Sequence, residues 1–153
     1  MVLDDFLLLD NNELISCLEN YQQDLVRALI DASDGDFNKA ADKWLSATPS
    51  NTAQFGGEHR QPSIFREKLF EEVEKFICGC DEGTYDKARE ELNRQGDMTK
   101  EAIISVMSAA IGGVIGVAGA FIAPIIVLIL MSIGQIVKNA WCETRRSLRV
   151  KST

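Results

Sequence analysis

The sequence predicts an all-α protein: a small N-terminal three-helix bundle, then amphipathic helices, then a C-terminal glycine-rich hydrophobic helical hairpin. Three observations carry this. Residues suited to helix N-caps (Asp10, Asp36, Ser63 and Thr99) each stand before a stretch of apolar periodicity. Within those stretches apolar side chains recur at 3–4 spacing, the signature of one helical face. Finally, "AIISVMSAAIGGVIGVAGAFIAPIIVLILMSIGQIV", residues 102–137, runs thirty-six residues without one charged side chain. The chain divides accordingly into a helical docking module (1–47), a linker (48–62), amphipathic helices (63–97), an apolar hairpin (99–142) and a basic tail (143–153).

In the first module, Asp10 and Glu13 have capping-box spacing: the carboxylate accepts from first-turn amides and the glutamate reaches back. Leu14, Ile15 and Leu18 form the apolar face of that helix. A second helix carries Leu25, Ala28 and Leu29, with Val26 and Ile30 widening the stripe, and Gly35 breaks it. Asp36 caps a third, on which Phe37, Ala40, Ala41, Trp44 and Leu45 face inward, while Leu7, Leu8 and Leu9 pack as a lid. "DASDGDFNKAAD" superficially suggests a calcium loop. Its glycine falls one position early and its last residue is Asp42, so the sharp turn and the bidentate ligand are both misplaced.

"LENYQQDL" followed by "ALIDASDGDFNKAADKWL" resembles the second and third helices of the ubiquitin-associated (UBA/CUE) fold. The matching residues are Ala28-Leu29, Gly35-Asp36, Ala40-Ala41 and Trp44-Leu45. The resemblance implies a compact protein-docking unit, with Tyr21, Trp44 and Leu45 as candidate docking residues for a protein partner. The loop that contacts ubiquitin in that family reads Met-Gly-Phe/Tyr; here it is Glu19-Asn20-Tyr21.

The linker holds Gly and Pro without periodicity. Beyond it, Ser63 caps a helix on which Phe65, Leu69, Val73 and Phe76 repeat at intervals near four, flanked by Ile64, Phe70 and Ile77. Its charges, including Glu67, Glu71, Glu72 and Lys75, read as a solvated face. Thr84 starts a further helix through Ala88 and Leu92, which Gly96 stops.

Charge is segregated. Residues 1–58 carry eleven acids against three bases, residues 59–101 eleven against eight, and residues 102–153 one acid against five bases. That pattern does not suit nucleic acid, which wants clustered Lys and Arg on a folded face. It suits the anionic inner surface of a membrane. Cys17, Cys78, Cys80 and Cys142 show no framework spacing, and Cys78-Gly-Cys80 is not the CxxC of a zinc or redox site. Free thiols in a reducing compartment are expected, with no metal and no cofactor. His59 is the one histidine. Neither a phosphate loop nor a nucleophile elbow or catalytic triad is present, which points away from an enzyme. The N-terminus lacks the basic n-region of a secretory signal, so the head is expected in the cytosol.

Thirty-six helical residues extend about 54 Å, too long for one upright crossing of a core of about 30 Å. Pro124 divides the run into legs at 102–123 and 125–141. Ser108, Gly112, Gly116 and Ala120, spaced by four, form a ridge of small residues of the kind along which membrane helices associate. Trp141 occupies the place of an interfacial aromatic, followed by Arg145, Arg146 and Arg149. A single span would push those bases outward, so two antiparallel legs are favoured over a tail anchor. The expectation is a non-enzymatic effector on the cytoplasmic face of a membrane. Its hairpin inserts and self-associates, a pore being one outcome, under control of the N-terminal module. Small membrane-disrupting effectors of cell-suicide and defence systems share this arrangement by analogy. The alternatives are a membrane-anchored adaptor, or a soluble regulatory or assembly subunit whose hairpin is buried.

Overall fold

The computed structural model describes residues 2–47, 62–79, 83–94 and 98–152, and among these every regular element is an α-helix. The linker expected at 48–62 falls, except for Pro62, outside the described residues, as do Cys80, His59 and Gly96.

The N-terminal module forms as its caps dictate. A single-turn α1 (Leu3–Phe6) is followed by α2 (Asn11–Ile15), whose capping box is complete: Asp10 accepts from the Glu13 amide at 2.8 Å, and Glu13 from the Asp10 amide at 3.3 Å. Next come α3 (Asn20–Ala32) and α4 (Phe37–Ala47). The turn between them passes through Asp34 and Gly35 at positive φ, and Asp36 caps α4 by accepting from Lys39 N–H at 3.1 Å. The inward face of α3 is shifted from the expected one. Val26 is fully buried, Leu29 and Ile30 are half-buried, and Leu25 and Ala28 face out. Of the expected lid, Leu7 and Leu9 are buried and Leu8 is exposed.

Helix α5 (Pro62–Cys78) buries Phe65, Leu69, Val73, Phe76 and Ile77, as its periodicity predicts. It begins at Pro62, one residue before the expected cap, so Ser63 lies inside the helix. The carboxylates depart from a solvated face. Glu72 and Glu74 are only 3% and 4% exposed. Glu72 accepts from the Tyr85 hydroxyl at 2.6 Å and from Lys75 at 3.2 Å, and pairs with Lys68 at 3.4 Å. Burial alone raises its carboxyl, but the Tyr85 hydrogen bond and the two lysines outweigh that and hold it below the usual range. Tyr85 immediately precedes α6 (Asp86–Arg94), so this cluster joins α5 to α6.

Helices α7 (Lys100–Ile115) and α8 (Gly119–Ile133) make the apolar centre. Thr99 caps α7 through its hydroxyl, which accepts from Ala102 N–H at 3.1 Å. The two helices turn through 111° at residues 116–118. This corrects the expected division at Pro124, which instead lies within α8. The break falls where Gly116, at φ +81°, closes α7 with its N–H on the Gly112 carbonyl at 2.8 Å. A side-chain-bearing residue is strained in that conformation. Gly112 also has a packing role, because a Cβ there would collide with the Val117 carbonyl and crowd Gly119. The glycines therefore make the elbow of the chain's own hairpin.

Helix α8 is buried all round from Phe121 to Met131, enclosed by α7, α4, α2, α5 and α3. Each fully buried Ile or Leu contributes about 1.5–3 kcal/mol, so this helix is the main hydrophobic anchor of the fold. At about 24 Å and 22 Å, α7 and α8 are each shorter than a bilayer core of about 30 Å. No single helix among the described residues is long and apolar enough to cross a membrane; the bent pair α7–α8 meets the test by length and composition.

The chain ends in α9 (Lys138–Ser152), one helix running through the expected boundary between hairpin and basic tail. It packs chiefly on α5.

Candidate functional site

Proline explains the contact that joins the N-terminal module to the hairpin. Pro124 has no N–H, so the carbonyl four residues earlier, that of Ala120, lacks its helical donor. Gln22 supplies one: its Nε2 donates to the Ala120 carbonyl at 2.9 Å, across 98 residues of sequence. One residue further on, Trp44 Nε1 donates to the Phe121 carbonyl at 3.1 Å. The Trp44 ring stacks on Phe121 with centroids 5.7 Å apart and planes at 28°. Gln22 is itself buried, and its Oε1 accepts from the Glu19 amide at 3.4 Å. The start of α8 is therefore clamped by two donors from two helices of the module.

The small-residue ridge is not continuous. Ser108 and Gly112 are buried on α7, Gly116 is the cap of that helix, and exposed Ala120 belongs to α8 beyond the elbow. This corrects the expectation of one helical face, because the ridge assumed unbroken helix through residues 116–118. Ser108 is 3% exposed and its hydroxyl has no hydrogen-bond partner among the described residues. It lines a cleft of about 390 Å³ at the seam between module and hairpin, together with Cys17, Leu18, Gln22 and Ala109. The Cys17 thiol is pushed up to about 12, chiefly by burial, then by the Glu101 charge, with Lys100 opposing and Glu13 adding. It stays protonated near neutrality and is a poor nucleophile.

Of the candidate docking residues, Trp44 docks on the chain's own hairpin and Leu45 is buried in the core. Tyr21 is 62% exposed on the outer face of α3, with Leu25 one turn on.

The end of α8 is held differently. Gly134, at φ +86°, terminates the helix, and the following residues lie against α1: Ile136 N–H donates to the Leu7 carbonyl at 3.2 Å and Gln135 Nε2 to that of Leu8. Lys138 pairs with Asp4 at 3.4 Å. Then α9 is fastened to α5. Trp141 meets Phe70 edge-on at 6.4 Å, and Arg145 lies 5.0 Å over the Phe70 ring while its Nε donates to buried Glu74 at 2.7 Å. Cys78 and Cys142 form a disulfide across 64 residues, with Cα atoms 5.6 Å apart. This corrects the expectation of free thiols for that pair; Cys17 is free. Trp141 and Arg145 thus pack on α5, Arg146 is exposed, and the Arg149 side chain lies outside the described residues.

The Glu72 cluster, Gln22 and the disulfide were missed by sequence reasoning. Pro124 marks Ala120 as a carbonyl in need of a donor, a signal readable in advance; nothing local marks Gln22 as that donor. Among the described residues, no group of three His, Cys, Asp or Glu side chains is placed to hold a metal ion. No family model, curated protein or solved structure matches the chain.

Proposed function

We propose that the chain is a non-enzymatic membrane effector held closed by its own N-terminal module. The observation that carries this reading is the clamp on α8: a glycine-jointed pair of helices, uncharged from Ala102 onward, is sheathed by the acidic module, whose Gln22 and Trp44 grip the carbonyls at its proline. In this reading, opening the clamp frees α7–α8 to insert at the cytoplasmic face of a membrane. It also uncovers Ser108 at the module seam, and unbending of the Gly116 elbow frees Gly112, so self-association along the small residues follows release, a pore being one form of the assembly. The UBA-like module binds a protein through Tyr21 and Leu25, and that partner sets when the clamp opens. Basic α9 meets anionic lipid.

The test is flotation and dye release with vesicles of phosphatidylcholine and phosphatidylglycerol at 3:1. The double variant Gln22→Leu/Trp44→Ala is expected to float with the vesicles and to release dye at least tenfold faster than the unaltered chain. A double variant that stays folded and ignores vesicles overturns the reading.

A second reading has its own support. Phe121–Met131 is buried within one chain, which by itself accounts for the absence of charge. The protein is then a helical regulatory subunit that uses the Tyr21 face, and neither form floats.

A further inference from the structure

We propose that the Cys78–Cys142 disulfide is a redox latch on the apolar hairpin. The inference deepens the reading above: its purpose rests on a hairpin that must be released, while the latch itself does not require a membrane.

The placement of the bond carries the argument. It joins the last residue of α5 to the middle of the first turns of α9, and everything between, α6, α7 and α8, lies within the covalent loop it closes. Helix α5 packs against α4, α7 and α8 alike, so it is a wall of the sheath around the hairpin. Helix α9, directly downstream of α8, has α5 as its main support. Once the bond is cut, α9 keeps the Arg145–Glu74 pair, the Phe70 contacts and the Lys138–Asp4 pair. The Phe70 contacts and the Lys138–Asp4 pair are partly exposed and each contribute about a fivefold factor or less, while the Arg145 bond to buried Glu74 contributes about ten- to a hundredfold. Closing a loop of this size restricts open states by up to about a thousandfold. The covalent tie is therefore the largest single attachment of α9 and, through it, the strongest restraint on the exit of α8. Both cysteines are half-buried, not sealed, so a reductant reaches them from the surface.

The chemistry is a thiol–disulfide exchange with a dithiol reductant. One reductant thiolate attacks a sulfur of the pair, breaks the Cys78–Cys142 bond and forms a mixed disulfide; the second reductant thiol then displaces it. Two electrons and two protons pass from the dithiol, which becomes a disulfide, to Cys78 and Cys142, which become thiols. Clamp and latch then secure opposite ends of α8: the first opens to a binding partner, the second to a change of redox state.

The test is hydrogen–deuterium exchange on the lipid-free, full-length Cys80→Ser chain, which lacks the neighbouring CxC thiol. Its oxidised form, its dithiothreitol-reduced form and a Cys142→Ser version are compared. Backbone amides of Ile125–Leu130 are expected to exchange roughly a hundredfold faster after reduction, and Cys142→Ser to behave like the reduced form without reductant. A change below threefold after thiol titration has shown complete reduction overturns the latch; because that comparison uses the reduced chain itself, it holds even where Cys142→Ser misfolds. The same samples are added to the 3:1 vesicles. Faster exchange without dye release in either state upholds the latch and rejects the membrane reading.

Discussion

The two ends of α8 are held by different physics. At its start, neutral donors from Gln22 and Trp44 meet carbonyls beside a proline, and an aromatic stack covers them. At its end, a covalent bond, a buried carboxylate and a guanidinium over a ring fasten the following helix to the sheath. Neutral hydrogen bonds are insensitive to salt and to pH near neutrality; the other end answers to redox state and ionic strength. A helix apolar on every face gives its surroundings no charged handle along its length. Whatever loosens its seat has to act at its ends, and these ends answer to different stimuli.

Cutting the covalent tie should have the largest effect. Cys142→Ser, measured by urea unfolding against the oxidised chain, should lose about 4 kcal/mol in the chain-entropy account of a loop this long. Trp44→Ala removes a stacked ring and a donor at a half-buried position, and should lose about 2–3 kcal/mol at any salt concentration. Gln22→Leu leaves the Ala120 carbonyl without its donor and should lose about 1–2 kcal/mol. A double-mutant cycle ties that loss to the proline. In a Pro124→Ala background the restored N–H satisfies Ala120 from within α8, so the cost of Gln22→Leu should fall below about 0.5 kcal/mol. An unchanged cost removes proline from the explanation.

Acid acts on α5, the wall to which the end of α8 is fastened. The Glu72 carboxyl is held lower in the folded chain than its ordinary value of about 4.3. Its stabilisation is therefore complete above that value and lost as pH falls through the folded one. Tyr85→Phe takes away the strongest opposition to burial. The folded value should then rise toward the ordinary one, so the acid-induced loss becomes smaller and is complete at higher pH, with about 1 kcal/mol already lost near neutrality. Acid titrations followed by circular dichroism check both shifts.

Much of this architecture is legible in the sequence because its signals are local. Asp10, Asp36 and Thr99 cap where their spacing says, and the Phe65–Phe76 stripe is buried as its period requires. Three features are not legible for stated reasons. Pro124 attracts the expected bend, yet it sits close to the start of α8, where one missing amide is replaced by a side chain from elsewhere; the real elbow needs the positive φ of Gly116. The cysteine pair is separated by 64 residues, so spacing rules have nothing to read. Glu72 and Glu74 look solvated until Tyr85 and Arg145 arrive from other helices. Tertiary partners decide each of these, and a periodicity is blind to them.

The 78–142 bond also makes the middle of the chain a ring, and a closed ring cuts any plane an even number of times. A sheet of lipid that receives α7–α8 from the oxidised chain must let it back out on the side it entered. Arg145 and Arg146 then remain on the same side as α5 without any help from their charge. Only after the ring is opened does an odd number of crossings become available to this chain.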